Sequence, residues 1–200
     1  VRAVRWLDET GQARRFEVLC EVGDLEGATL ADVGCGLGDL FGHLRARGAS
    51  ARYVGYDITP GMVEAARAKY PEARFELRDV LAEGLGGPFD YVFASGTFNI
   101  RIPDHDAFLR EMLAVMFAGC RRAVAFNILR PLAEELPEPF ATWAREQYYE
   151  IEPDALVPDC RALGAEVEAR EGYLPGEFAL YLRRPAPLQE QRSPHIISPE

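Results

Sequence analysis

Short apolar runs alternate with amphipathic stretches along most of the chain. Thr29–Val33, Arg52–Asp57, Phe75–Arg78, Phe89–Ser95 and Arg122–Leu129 read as strands. The last is a nearly continuous apolar run, the signature of a strand buried on both faces. Between them, apolar residues recur at helical spacing: Phe16, Leu19, Cys20 and Val22 in 12–22, Leu40, Phe41 and Leu44 in 39–47, and Met62, Ala65 and Ala66 in 60–69. A fourth stripe, Phe108, Leu109, Met112, Leu113 and Met116, follows Asp104 and Asp106. Gly23, Gly48 and Pro71 supply helix stops, and Thr59-Pro60 supplies an N-cap and a first helical position. Strands alternating with helices predict a parallel sheet with helices on both faces. Residues 154–163 predict one more helix, and Val167–Glu171 with Phe178–Arg183 an antiparallel pair turning at Tyr173–Glu177. The segment 131–152, rich in Pro, Glu and aromatics, either covers an acceptor pocket or packs Phe140, Trp143, Tyr148 and Tyr149 into the core.

The junction between the first strand and its helix carries the chemistry. It reads Asp32-Val33-Gly34-Cys35-Gly36-Leu37-Gly38-Asp39. A dinucleotide loop is spaced Gly-x-Gly-x-x-Gly and receives a pyrophosphate at a helix N-terminus. Here the glycines alternate, and Asp32 and Asp39 flank them. Two carboxylates would repel a pyrophosphate and suit an ammonium or a sulfonium. Asp57 ends the second strand about 20 residues beyond the loop, where an acid can accept from both ribose hydroxyls. The alternative, a helix cap, is better filled by Thr59. Asp79 ends the third strand and, when ionised, is an acceptor only.

On these residues the chain resembles the class I S-adenosylmethionine-dependent methyltransferases. Asp32, Gly34, Gly36 and Gly38 match that family's first motif, and Tyr56-Asp57-Ile58-Thr59-Pro60-Gly61-Met62 opens a stretch similar to its second. The resemblance implies a Rossmann-like, doubly wound, mostly parallel seven-stranded sheet with an antiparallel C-terminal hairpin. It also implies S-adenosyl-L-methionine as cofactor and S-adenosyl-L-homocysteine as product. Asp57 would take the ribose, with Cys35 and Ile58 in the same cofactor set. Asp79 would accept from the adenine amino group while the Val80 N–H donates to the ring. Carbonyls of Ala94 or Ser95 would hold the ammonium. Arg15 would reach the methionine carboxylate, or else be a solvated arginine beside Arg14. Thr97, Phe98 and Asn99 would bind the acceptor, or form a structural loop around a buried Phe98. The Asn/Asp-Pro-Pro-aromatic run of base-methylating relatives is missing after the fourth strand.

Net charge is −10 with pI near 4.9, which argues against nucleic acid as the acceptor. Cys20, Cys35, Cys120 and Cys160 form no C-x-x-C pair, the pattern of reduced packing thiols in a cytoplasmic protein rather than of a metal site or disulfide framework. No apolar run reaches the ~20 residues of a membrane span. The start has no secretory apolar region, and its first residue, Val1, is compatible with a beginning inside a longer chain. The expected organisation is one domain over 1–184 and a Pro-rich tail over 185–200. His105 and Tyr148 are the first candidates for a base, followed by Asp104, Tyr149, Tyr173 and Glu177. The function expected is methyl transfer by in-line displacement to a small-molecule or sugar-like metabolite. The alternatives are a cofactor-binding protein of this fold without turnover and a nicotinamide-dependent oxidoreductase.

Overall fold

A computed structural model describes residues 9–131 and 140–186. Calls on the first eight residues, on most of the tail and on 132–139 lie outside the described residues. Seven strands form one sheet in the order β3-β2-β1-β4-β5-β7-β6. They are β1 (Thr29–Val33), β2 (Arg52–Asp57), β3 (Arg74–Leu77), β4 (Phe89–Ala94), β5 (Cys120–Leu129), β6 (Glu166–Arg170) and β7 (Glu177–Arg183). The first five pair in parallel, and β7 runs antiparallel between β5 and β6. The expected fold class is therefore present, hairpin included.

Helices α1 (Glu9–Cys20), α2 (Asp39–Ala46) and α3 (Pro60–Lys69) belong to one face. Their Phe16, Leu19, Leu40, Leu44 and Val63 pack with Leu30, Phe93, Ala125 and Tyr181 of the sheet. On the other face lie α4 (Val80–Glu83), α5 (His105–Ala118) and α7 (Pro153–Ala162). There Leu109, Met112, Met116, Leu156 and Cys160 meet Ala31, Val33, Phe126, Ile128 and Leu180. Successive strand residues point to opposite faces, so each strand feeds both layers. This is why β5 reads as an uninterrupted apolar run.

Two elements differ from the expectation. Helical turn α4 follows β3 because Asp79 caps it, its carboxylate accepting from the Ala82 N–H at 3.2 Å. Its own N–H donates to Glu83 at 3.0 Å. Within the irregular stretch lies α6 (Phe140–Gln147). It buries Ala141 and Ala144 and leaves Trp143 exposed. The small residues face the protein there, reversing the reading in which Trp143 fills the core.

Candidate active site

All parallel strands end at one edge, and the loops leaving it carry the expected residues. Beyond Val33 the Gly34 and Cys35 N–H groups both donate to the Tyr56 carbonyl, at 2.8 and 2.9 Å. Gly34 has φ +73°, and a Cβ there would lie 2.6 Å from Thr97 Oγ1. Gly36 differs: at φ +53° a Cβ would meet nothing within 4 Å. Its glycine therefore answers to backbone conformation and to open space in front of the loop, the approach a ligand would use. Its N–H donates to Asp57 Oδ2 at 2.9 Å, and the Thr59 N–H donates to Asp57 Oδ1 at 2.8 Å. Asp57 thus ties the two loops together, and each oxygen keeps a second lone pair. Thr59 occupies the cap position, its carbonyl accepting from the Met62 and Val63 N–H groups, while Asp57 fixes the Thr59 N–H just ahead of the helix.

Asp32 is buried on the α1–α3 side, below the loop, and accepts from the Tyr53 hydroxyl at 2.6 Å. Burial pushes its pKa up to about 7, against the pull of that hydrogen bond. Asp39 is held by Lys69 and by Gln12. The Cys35 thiol is buried, its Sγ facing Gly55, and burial raises its pKa. Ile58 is 67% exposed beside Asp57. Val80 and Ala94 are buried and offer backbone alone, while Ser95 is half-buried at the end of β4.

Arg15 is not the solvated arginine of the alternative. It is 6% exposed, and its Nε donates to both Glu177 oxygens, at 3.1 and 2.8 Å. Glu177 opens β7 opposite Leu129, the last residue of β5, so the ion pair sits at the ligand edge. Burial raises the Glu177 pKa although Arg15 opposes it. The Tyr173 hydroxyl is buried beside Glu177 and helps hold that carboxylate's pKa down against the effect of burial.

The acceptor residues need correcting. Phe98 is 0% exposed and packs edge-on against Phe126 and Phe108, with ring centroids 5.6 and 6.2 Å away. It belongs to the core. Thr97 donates to the Val33 carbonyl at 2.8 Å. Asn99 is buried, its N–H on the Gly96 carbonyl and its own carbonyl accepting from Tyr149. Phe98 is thus a core residue, and Thr97 and Asn99 hold the loop around it. Asn127, hidden in the apolar run of β5, accepts from the Gly96 N–H at 3.2 Å and was missed.

His105, a candidate base, opens α5. It is buried, stacked on Tyr149 with centroids 3.8 Å apart, and its Nδ1 accepts from the Ile102 N–H at 3.4 Å. Burial lowers its pKa, so the ring is neutral near pH 7. The Tyr149 hydroxyl donates to Asp106, and Tyr148 is half-buried against Trp143. No group of three or more metal-ligating side chains is found among the described residues.

Among the described residues, the large exposed hydrophobics gather at this edge. Leu37, Ile58, Met62 and Leu77 surround the ends of β1 to β3, and Ile100, Ile102 and Trp143 lie beyond β4. Exposed apolar side chains grouped this way mark ligand grooves. The periodicity that located the strands gave no sign of Leu37 or Leu77, which read as ordinary apolar positions.

Residues 30–119 match the family described as "Methyltransferase domain". The chain is 32% identical over 161 residues, 78% of its length and 93% of the relative's, to Rv1506c of Mycobacterium tuberculosis, a provisionally named methyltransferase. The chain is a class I S-adenosylmethionine-dependent methyltransferase. Its cofactor is S-adenosylmethionine, and the nicotinamide reading falls away. The trans-aconitate 2-methyltransferase of Azoarcus sp. (strain BH72) is 32% identical over 143 residues, 69% of this chain and 56% of that enzyme. The chain thus spans about half the length of such relatives. The magnesium protoporphyrin IX methyltransferase of Synechocystis PCC 6803, solved with S-adenosylhomocysteine, superposes with a TM-score of 0.70 at 21% identity, covering 92% of this chain and 88% of that one. Among the described residues no helix is long and apolar enough to cross a membrane.

Proposed function

We propose that this methyltransferase esterifies a carboxylate of a small organic acid. The state of His105 carries the reading. The imidazole is buried under the Tyr149 ring and hydrogen-bonded within its own loop, to the Ile102 N–H and to the Phe98 backbone. The first candidate base is therefore built into the fold. An acceptor that arrives ionised needs none, and carboxylates are ionised near pH 7. When bound, S-adenosylmethionine supplies a methyl group on a positively charged sulfur. The methyl carbon exchanges its bond to sulfur for one to oxygen, the electron pair stays on sulfur, and no proton moves. Alignment and exclusion of water are what the protein must provide. The trans-aconitate methyltransferases, named for an acid, support the same class. The acidic balance of the chain speaks against nucleic acid.

On this reading Asp57 takes the ribose hydroxyls with its second lone pairs, and the Gly36 N–H keeps the carboxylate aimed. The remaining Asp79 oxygen and the Val80 N–H meet the adenine, while Ile58, Leu37, Met62 and Leu77 wall it. Carbonyls at Ala94 and Ser95 meet the ammonium, and Arg15 the methionine carboxylate. Asp32, buried below the loop on the Tyr53 hydroxyl, supports it from behind rather than by contact with the ligand. The described residues 140–152 stand on the acceptor side. The test is product analysis by mass spectrometry with the methyl donor and a panel of trans-aconitate, malonate, catechol and glucosamine. Methyl esters of the acids are expected. Methylation of catechol or glucosamine with the acids untouched would contradict the reading.

A further inference from the structure

We propose that Arg101 is the specificity-determining residue of the acceptor site and that the acid it selects carries a second carboxylate, held by this guanidinium while the first is methylated. This deepens the acid reading above and rests on it. The loop leaving β4 is fastened beside the glycine loop by Thr97, dives into the core at Phe98, and re-emerges as Ile100-Arg101-Ile102. Four residues span at most about 14 Å. Arg101 is therefore tethered close to the donor side without being part of it. No spacing rule singles out one basic residue between two isoleucines.

The arginine is held in place. Its N–H donates to the Gln147 carbonyl at 2.9 Å. Its Nε donates to the carbonyls of Arg145 and Tyr148, at 2.8 and 3.1 Å, satisfying carbonyls at the C-terminal end of α6. The guanidinium carbon lies 5.7 Å from the Tyr149 ring centre. A residue needed only to close α6 would be complete with Nε alone. Among the described residues neither terminal nitrogen of Arg101 has a hydrogen bond or an acidic partner, and the residue is exposed. By contrast, Arg110 on the same rim is paired with Asp159 at 2.6 Å. Asp106 is engaged by Tyr149. Asp104 stands on the rim in a left-handed conformation, φ 52°.

These residues line a depression of about 530 Å³, floored by the His105–Tyr149 stack. That is the size of a small-metabolite site. Ile102, 39% exposed, lines the depression next to Arg101 and offers an apolar contact for a short carbon chain. A fork whose Nε is already fixed loses little freedom when its outer nitrogens take a carboxylate. The anchored carboxylate is the distal one, because pairing with a guanidinium would lower the nucleophilicity of the oxygen being methylated.

The test compares adipate, with two carboxylates, and hexanoate, with one, as methyl acceptors, alongside S-adenosylhomocysteine titration of each protein. Adipate should be preferred in kcat/KM by at least tenfold. Arg101→Gln should raise the KM for adipate roughly 10–100-fold with kcat nearly unchanged, and Arg101→Lys should recover part of it. Equal use of both acids by the wild type, or an equal loss for both acids in Arg101→Gln, would overturn the proposal. So would turnover of neither acid by protein that binds S-adenosylhomocysteine. Failure of the wild type to bind S-adenosylhomocysteine would overturn the reading of the whole edge, and the titration reports that separately.

Discussion

The two halves of the ligand edge are built on different principles. Around the ends of β1, β2 and β3, each loop is short and fixed by contacts within that half, such as the Gly36 N–H on Asp57 and the Ala82 N–H on Asp79. Beyond β4 the surface is assembled from parts far apart in the chain. His105 stacks on Tyr149, Arg101 is pinned by carbonyls 44 and 47 residues away, and Arg15 reaches Glu177 across 162 residues. On the proposed reading the first half meets the ribose and adenine that a whole family shares, with local backbone chemistry. The second meets the acceptor and the methionine end of the cofactor, and long-range packing shapes it.

The sharpest way to break this contrast is Phe98→Ala. As a core residue, its truncation should cost about 3–5 kcal/mol of stability. Thermal or urea unfolding measures this, and the surviving folded protein should bind cofactor normally. Lost turnover at unchanged stability would return Phe98 to the acceptor site and erase the distinction drawn at that residue.

A matched pair of glycine variants probes the other half. A methyl at position 34 meets both the left-handed backbone penalty, about 1–2 kcal/mol, and the Thr97 side chain that ties the two halves together. Gly34→Ala should therefore lose roughly 2–4 kcal/mol of stability. Gly36→Ala meets only the backbone penalty, about 1–2 kcal/mol, yet its methyl stands where the ligand approaches. It should bind S-adenosylhomocysteine far more weakly than its stability suggests. Parallel melting and titration of the pair would show whether those effects separate. If they move together, the loop is not divided between packing and binding.

A third test concerns Asp32. Its pKa is raised from 3.8 to about 7, chiefly by burial. The unfolded chain gives up this proton near pH 4 while the folded protein keeps it to about pH 7. Unfolding therefore releases a proton across that window, and the stability of the native state relative to Asp32→Asn should fall as pH rises from about 4 to about 7, then level off. Melting curves of both proteins over that range test the sign. A difference independent of pH would mean that Asp32 is already ionised when folded.

How far the chain could be read follows the same division. The alternation of strands and helices, the glycine loop and the acids at three strand ends are local, and so were visible in order. Asp57 and Asp79 nevertheless do more than expected, each accepting from backbone at a loop or helix start. Arg15, Phe98 and His105 were seen as residues but not as partners. Their roles depend on Glu177, on Phe108 with Phe126, and on Tyr149, and no spacing rule relates those positions. Asn127 and Arg101 went unread because an amide inside an apolar run and one arginine between two isoleucines carry no periodic signal.

The account stands most directly on whether this edge binds its cofactor through Asp57. Calorimetric titration of S-adenosylhomocysteine into the wild type and Asp57→Ala, with NADH as the control ligand, measures it. The prediction is micromolar binding by the wild type, roughly 10–100-fold weaker binding by the variant, and none for NADH. Equal affinity in both proteins would contradict the ribose assignment, and silence from the wild type would contradict the site itself.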